Sequence, residues 1–162
     1  MRISEGKLAA VGCVLVAIGA IRMVAASSEA YERKEIEAFN KRYVELHLRM
    51  DTPGILALWT EDGVDLMPGS APMTGRKKIS DWVTDIVTKM PGYKVTKQEM
   101  EFHDIFVCGD WASEWATVHQ EVQPPDGKPM IESYGKSALV LRREAHGEWK
   151  VQQEMWNAAL AP

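Results

Sequence analysis

Apolar residues recur at helical spacing in two segments of the N-terminal half. From Ala30 to Arg49 they are three or four residues apart, and charged residues cover the other faces, which predicts an amphipathic helix. The apolar positions are Ile36, Phe39, Tyr43, Leu46 and Met50. A second helix is predicted from Arg76 to Lys89. Between them, "MDTPGILALWTED" predicts a break and a short helix, with Asp51 or Thr52 as N-cap and Pro53 in its first turn.

After Pro91 the pattern changes to alternation with a period of two, which is typical of strands. Four long runs separated by turn residues predict four antiparallel strands, and "VDLMP" before the last helix predicts a shorter strand that ends at Pro68. The long runs are "YKVTKQEMEFHDIFVCG", "DWASEWATVHQEVQ", "MIESYGKSALVLRRE" and "WKVQQEMWNAAL". Helices followed by an antiparallel meander predict an α+β fold, with the helices on one face of a curved sheet and a cavity between them.

The first residues have the pattern of a secretory signal. Arg2 and Lys7 precede the apolar run "LAAVGCVLVAIGAI", and Val24 and Ala26 are small residues at the positions that signal peptidase reads. The apolar run is shorter than the roughly 20 residues that a spanning helix needs. We therefore expect a signal peptide over residues 1–26, a domain over residues 27–162, and a periplasmic or secreted protein. An uncleaved anchor is the alternative.

Charge and cysteine content argue against several classes of function. The chain has a net charge of −4 at pH 7, and an acidic domain without a basic cluster is a poor candidate for binding nucleic acid or anionic membranes. Cleavage of the signal would leave Cys108 as a single cysteine, which cannot form an internal disulfide. His103 and His119 lie on neighbouring predicted strands without a third ligand at metal spacing, and His47 is expected to be solvated. We expect neither a metal nor a cofactor.

Several motifs, in this order, resemble those of one superfamily. They are "D…LALWTEDGV…P…TG" between Asp51 and Gly75, then "GDWA", "YGKSALVLRR" and "GEWKVQQEMWN". From Glu29 to Ala159 the chain resembles the nuclear transport factor 2-like superfamily, with its ketosteroid isomerases and SnoaL-like polyketide cyclases, and above all a poorly characterised branch of secreted bacterial proteins. The resemblance implies a curved antiparallel sheet wrapped around N-terminal helices, forming a cone with an internal pocket, and a homodimer through the sheet face. It implies no single activity, because this fold supports many functions.

The isomerase branch gives a sharper comparison. Its tyrosine donor lies in an "RY-x-x-L" pattern, which residues 42–46 match at Tyr43. Its base is an aspartate immediately before a proline, where this chain has Met67, and its second acidic donor would fall near Leu139, where there is no acid. A tryptophan near the end of the last strand matches at Trp156. Two of three proton-handling groups are therefore missing, and the resemblance implies no ordinary ketosteroid isomerase activity.

Two other carboxylates could replace the missing groups. Asp65 precedes Met67 by two residues, so alternation places both side chains on one face, about 6–7 Å apart. Asp65 is either a relocated base or a hydrated carboxylate at the rim, and the cost of burying an unpaired carboxylate favours the rim. Alternation along the last strand places Glu154 on the face of Trp156, opposite Trp149. Glu154 would have a raised pKa in a closed site, or would be solvated on the surface.

These patterns give three hypotheses. In the first, an exported domain holds a small, mainly apolar molecule in the cone. In the second, a cofactor-free acid–base enzyme of the isomerase, cyclase or dehydratase (lyase) type uses Asp65 or Glu154 with Tyr43 as catalytic residues. In the third, the chain is a homodimeric interaction module without a ligand. The expected pocket residues are Trp59 (predicted to lie on the short helix), Met67, Trp115, Tyr134 and Trp156.

Overall fold

The computed structural model describes residues 30–162. Residues 35–162 form one compact unit. The predicted signal peptide and its cleavage site lie outside the described residues. Helix α1 covers residues 30–48, α2 Thr52–Ala57 and α3 Arg76–Lys89. The strands are β1 (Trp59–Leu66), β2 (Met73–Thr74), β3 (Lys94–Cys108), β4 (Trp111–Gln123), β5 (Ile131–Arg143) and β6 (Trp149–Ala159).

The six strands form one curved sheet in the order β2-β1-β6-β5-β4-β3. Strands β3 to β6 form the predicted antiparallel meander, while β1 pairs in parallel with β6 and antiparallel with β2. The predicted α+β fold is therefore confirmed. Within the described part of the chain, no helix is long and apolar enough to cross a membrane.

Helix α1 supplies one side of the core. Its predicted apolar face is buried from Ile36 to Leu46. It packs on the inner face of the sheet, where Leu139, Leu141 and Val151 are almost fully buried. Burying an apolar side chain of this size stabilises the fold by about 1.5–3 kcal/mol. This packing also aims Asn40 and Tyr43 of α1 at the inner sheet face, where they donate to Glu114 and Glu154.

The short helix predicted between α1 and α3 is too long. Asp51 caps α2 as expected, because its carboxylate accepts a hydrogen bond from the backbone N–H of Gly54 at 3.0 Å. The helix ends at Ala57, and Trp59 begins strand β1 by pairing with Val151 of β6. The prediction that Trp59 lies on a helix is therefore wrong, since pairing with a strand far along the chain overrides local preference.

A bulge in β6 changes which side chains face the core. Leu141 of β5 pairs with Val151 and the adjacent Val140 pairs with Gln153, so Gln152 of β6 is an extra residue without a partner in β5. Trp149 and Val151 before the bulge and Glu154 after it are all buried. The prediction that Glu154 lies opposite Trp149 is wrong, because one extra residue reverses the alternation.

Candidate functional site

A cavity of about 390 Å³ lies between helices α1 and α3 and the inner face of the sheet. Its wall is mostly apolar, and it includes the indole rings of Trp59, Trp82 and Trp156. No lysine or arginine within residues 30–162 lines it. A cavity of this volume and lining suits an organic molecule of two or three rings.

One polar cluster interrupts the apolar wall. The carboxylate of Glu154 accepts hydrogen bonds from the hydroxyl of Tyr43, at 2.8 and 2.9 Å, and from the hydroxyl of Ser137 at 2.9 Å. All three side chains are buried. The structure thus brings together two predicted site residues, Tyr43 and Glu154. Ser137 was missed, although its position opposite Trp156 on the neighbouring strand could have indicated it.

Asp65 lies beside this cluster. Strand β1 pairs with β6 so that Asp65 is level with Glu154. Asp65 is only 4% exposed, and its Oδ1 is buried without a hydrogen-bond partner anywhere in residues 30–162. The interpretation of Asp65 as a hydrated rim carboxylate is therefore wrong, because the parallel pairing of β1 carries it into the cavity wall.

The two carboxyl groups hold their protons unusually tightly. Burial, and then the charge of Glu154, raise the pKa of Asp65 to about 7. Burial also raises the pKa of Glu154, against the opposing effect of its hydrogen bonds from Tyr43 and Ser137. Glu154 has two hydroxyl donors and Asp65 has none, so the hydroxyl groups favour Glu154 as the member of the pair that carries a negative charge. A carboxyl group with a pKa near 7 can both give and take a proton at neutral pH.

Tyr43 stays protonated in this cluster. Burial, and then the charge of Glu154, raise the pKa of its hydroxyl well above the usual range. The hydroxyl is therefore a permanent donor, and in this structure it donates to Glu154. Its direct role is to hold the charge of Glu154.

His47 also lines the cavity, one helical turn after Tyr43. The two rings stack, with centroids 4.1 Å apart. Nδ1 of His47 lies 2.8 Å from the backbone carbonyl oxygen of Tyr43, and burial lowers the pKa of the imidazole. The expectation that His47 is solvated is wrong, since the cavity extends along α1. Its spacing of four residues from Tyr43 could have indicated this.

Most of the predicted pocket residues border the cavity. Trp59, Met67 and Trp156 are part of its lining. Tyr134 also borders it, but its ring stacks on His119 with centroids 4.5 Å apart, and its hydroxyl donates to the exposed Glu132.

Trp115 does not line the cavity. It is 40% exposed on the outer face of the sheet, where its ring stacks on His103 and its indole N–H donates to Asp104 at 2.7 Å. The inner face of β4 carries its neighbours Glu114 and Ala116, because alternate residues of a strand point to opposite faces. The prediction that Trp115 is a pocket residue is therefore corrected to an outer-face position.

Trp156 lies against the backbone of β5 at Gly135. A Cβ atom added to Gly135 would lie 2.5 Å from Nε1 of Trp156, which is closer than any real contact. Gly135 is therefore required for the indole to occupy its place in the cavity wall.

The outer face carries the only group of three possible metal ligands in the described residues. Side-chain atoms of His119, Glu121 and Glu132 lie within 4.8 Å of one another. Nε2 of His119 is 2.8 Å from Glu132, and the ammonium of Lys97 is 3.9 Å from Glu121. We interpret this group as a surface ion-pair network, because a lysine already compensates its charge.

Comparison with known proteins is consistent with the fold. A family model described as a SnoaL-like domain matches residues 28–153. None of the curated proteins matches the chain. Solved structures similar to this chain include a ketosteroid isomerase-like protein from Erwinia carotovora atroseptica, with 20% identity, a TM-score of 0.66, and coverage of 78% of this chain and 95% of that chain.

Two further similar structures are described as dehydratases. A candidate scytalone dehydratase from Novosphingobium aromaticivorans has 20% identity, a TM-score of 0.67, and coverage of 83% of this chain and 89% of that chain. A candidate dehydratase of the nuclear transport factor 2-like family from Streptomyces avermitilis has 19% identity, a TM-score of 0.65, and coverage of 82% and 99%. At these identities the structures share a fold and not necessarily an activity. On the family match over most of its length, the chain belongs to the SnoaL-like family, and it has the nuclear transport factor 2-like fold.

Proposed function

We propose that the protein binds a small, uncharged, mainly apolar molecule in the cone and transfers a proton on it, as a cofactor-free acid–base enzyme of the isomerase, cyclase or dehydratase type. One observation carries this proposal: the buried carboxyl of Asp65, with Oδ1 unpartnered within residues 30–162, lies in the cavity wall beside Glu154. A buried polar atom without a partner costs about 1–3 kcal/mol. Such costs concentrate at functional sites, where the free atom contacts a ligand.

The chemistry requires no further reactant. Ionised Asp65 takes a proton from a carbon next to a carbonyl group, so that a C–H bond of the ligand breaks and an O–H bond of Asp65 forms. Protonated Asp65 then returns the proton to the same carbon or to another position of the enol. Burial, and then the charge of Glu154 that Tyr43 and Ser137 hold by hydrogen bonds, keep the pKa of Asp65 near the working pH.

The charges in the cavity indicate the class of ligand. An anionic ligand would lie beside the charged Glu154, and no lysine or arginine of the described lining could compensate it. Carboxylates and phosphates are therefore disfavoured. The three indole rings of the wall favour a molecule with a ring or hydrocarbon body and one polar group.

Binding is tested with a matched pair of two-ring probes. The neutral ketone 2-tetralone and the anion 1,2,3,4-tetrahydro-2-naphthoate have the same body, and tryptophan fluorescence reports binding of each. We expect the ketone to bind at least about tenfold more tightly. Equal affinity for the anion would contradict the proposed ligand class. Small-molecule extraction and native mass spectrometry of the purified protein then identify the natural ligand.

Proton transfer is tested by exchange of the α-protons of 2-tetralone in D₂O, followed by nuclear magnetic resonance (NMR). We expect the wild type to accelerate exchange over buffer, and Asp65→Asn to lose about 100-fold of that acceleration. The control is Asp110→Asn, which changes an exposed aspartate in the β3–β4 turn. Exchange in the Asp65 variant at the wild-type rate would refute the proposed role of Asp65.

The second candidate function is binding without catalysis. It is favoured by Met67, which lines the cavity at the place where the isomerases that the chain resembles have their base. A pure binding protein would hold 2-tetralone without accelerating its exchange. The third hypothesis is an interaction module without a ligand, whose cone would be filled by side chains. The cavity of about 390 Å³ disfavours it.

Export is a separate proposal. We propose that the predicted signal peptide directs the protein to the periplasm or the exterior, where it would meet its ligand. N-terminal sequencing of protein from the exported fraction tests cleavage after Ala26. A mature chain that retains Arg2 and Lys7 would favour the uncleaved anchor.

A further inference from the structure

We propose that His47 is a second proton-handling residue of the cavity, with Nε2 of its imidazole as the atom that accepts a hydrogen bond or a proton from the ligand. This inference rests on the proposed function, because it assigns a second residue to the same site. It adds a neutral base to the neutral acid, Asp65. Together these two residues specify what kind of reaction the cavity can perform.

The position of the ring is fixed by α1. His47 is one turn after Tyr43, its ring stacks on the phenol ring at 4.1 Å, and its edge belongs to the lining of the cavity. Both rings therefore belong to one wall of the cavity. The Tyr43 ring contacts His47, and the Tyr43 hydroxyl donates to Glu154. A stacked ring in a packed wall keeps its orientation without help from a ligand.

The hydrogen bond at Nδ1 determines where the proton of the neutral imidazole lies. Nδ1 is 2.8 Å from the carbonyl oxygen of Tyr43, and a carbonyl oxygen can only accept. Nδ1 therefore carries the hydrogen, and Nε2 of the neutral ring carries a lone pair. Within residues 30–162, the only side-chain hydrogen bond of His47 is the one at Nδ1, so Nε2 is free to accept from a ligand.

The surroundings keep the ring neutral. Burial lowers the pKa of His47, and only the weaker effect of the Tyr43 carbonyl opposes it. The other titratable side chains that line the cavity are Tyr43, Asp65, Tyr134 and Glu154, and none of them forms an ion pair with His47. At neutral pH, His47 is therefore a base, and Asp65, whose pKa is about 7, is available as an acid.

This combination matches a reaction in which one proton leaves the ligand while another is delivered. When Asp65 is protonated, Nε2 of His47 takes the proton from the carbon next to a carbonyl in its place, which breaks a C–H bond and forms an N–H bond. Asp65 gives its proton to a hydroxyl group on the adjacent carbon, which leaves as water when the C–O bond breaks. Loss of the proton from His47 and return of a proton to Asp65 through solvent restore both groups. The ligand class that this requires is a neutral β-hydroxy carbonyl compound with a ring body.

The first test uses the wild-type protein alone. In protein with ¹⁵N-labelled histidine, NMR at pH 7 should identify His47 as the neutral form with hydrogen on Nδ1. Addition of 2-naphthol, a neutral hydroxyl-bearing probe, should shift the Nε2 resonance of His47, as expected for a new hydrogen bond. A ring with hydrogen on Nε2, or an Nε2 resonance that does not move when 2-naphthol binds, overturns the inference.

The second test separates this inference from the proposed function. At pH 6, where Asp65 is mainly protonated, His47→Gln should slow α-proton exchange of 2-tetralone by about 100-fold while its dissociation constant changes less than about threefold. His146→Gln, in the exposed β5–β6 turn, is the matched control and should leave both quantities unchanged. If Asp65→Asn slows exchange but His47→Gln does not, the proposed function stands and the inference about His47 falls. If the wild type does not accelerate exchange, the proposed catalysis falls, and the NMR test still decides whether Nε2 is a ligand acceptor.

Discussion

The hydroxyl of Tyr43 on α1 lies 2.8 Å from the carboxylate of Glu154 on the last strand, 111 residues later in the chain. This contact joins the first helix to the end of the sheet inside the cavity. Ser137 donates to the same carboxylate, so two hydroxyl groups support one buried charge. Several properties of the protein should depend on this arrangement.

Removing the Tyr43 hydroxyl should destabilise the protein. In Tyr43→Phe, Glu154 retains only Ser137 as donor, and loss of a hydrogen bond to a charged group costs about 1.5–3 kcal/mol. The free energy of unfolding, measured in urea at pH 8, should fall by that amount. Tyr134→Phe is the control, because it removes an exposed hydrogen bond and should change the free energy by less than about 0.5 kcal/mol. Equal effects of the two variants would refute the special role of Tyr43.

The raised pKa of Asp65 should make stability fall as pH rises. The folded protein holds this proton up to a pKa of about 7, while the unfolded chain releases it near the ordinary value of 3.8. The stabilisation is therefore complete below pH 4 and is lost as pH rises through 7, by up to about 4 kcal/mol. Urea unfolding at pH 5 and pH 8 measures this loss. In Asp65→Asn the free energy of unfolding should fall less between pH 5 and pH 8 than in the wild type. In Asp110→Asn it should fall as much as in the wild type.

Glu114 is a second buried carboxyl group, outside the cavity lining, and its proton should also stabilise the folded protein. Glu114 is 5% exposed, and its Oε2 accepts from Nδ2 of Asn40 at 2.8 Å. Oε1 of Glu114 and Oδ1 of Asn40 are both buried without a partner in residues 30–162. Burial raises the pKa of Glu114 to about 7. A proton on Oε1 would let Glu114 donate to Oδ1 and satisfy both groups.

Glu114→Gln tests this arrangement, because a glutamine amide supplies the missing donor at every pH. At pH 5 the variant and the wild type should unfold with free energies within about 0.5 kcal/mol of each other. At pH 8 the variant should be more stable, by up to about 3 kcal/mol, since the wild type must then bury an ionised carboxylate or protonate it. Glu114→Ala should be less stable at both values. A glutamine variant that is less stable than wild type at pH 8 would contradict the protonated pair.

Gly135 should be required for the cavity wall. In Gly135→Ala the new Cβ would lie 2.5 Å from Nε1 of Trp156, so the indole must move. We expect a loss of about 1–3 kcal/mol in stability and weaker binding of 2-tetralone. The combined variant Gly135→Ala/Trp156→Ala provides the control, because removing the indole should remove the clash. If the two stability losses simply add, the clash is not the cause.

The predicted homodimer should depend on the outer face of the sheet. Phe106 is 64% exposed there, and Trp111 and Trp115 are also exposed. We expect light scattering after size-exclusion chromatography to give the mass of a dimer for the wild type and of a monomer for Phe106→Ser/Trp115→Ser. Leu48→Ser, which changes an exposed apolar residue of α1, should remain a dimer. A monomeric wild type would refute the predicted interface.

Local sequence pattern was sufficient for the elements whose residues are neighbours in the chain. The apolar spacing in α1, the N-cap at Asp51 and the bounds of α3 depend on contacts within a few residues, and each was predicted closely. The order of helices and strands also predicted the α+β fold. Tyr43 was identified as a site residue because it belongs to a short motif on one helix.

The composition of the site depended on pairing between distant strands. Parallel pairing of β1 with β6 turned Trp59 into a strand residue and buried Asp65 beside Glu154. Simple alternation predicted Glu154 on the face opposite Trp149. The bulge at Gln152 places both side chains on the inner face instead. The sequence by itself thus determined the elements and the family resemblance. Only the tertiary structure decided which carboxyl groups lie side by side in the cavity wall, because register, bulges and burial are set by contacts between residues far apart in the chain.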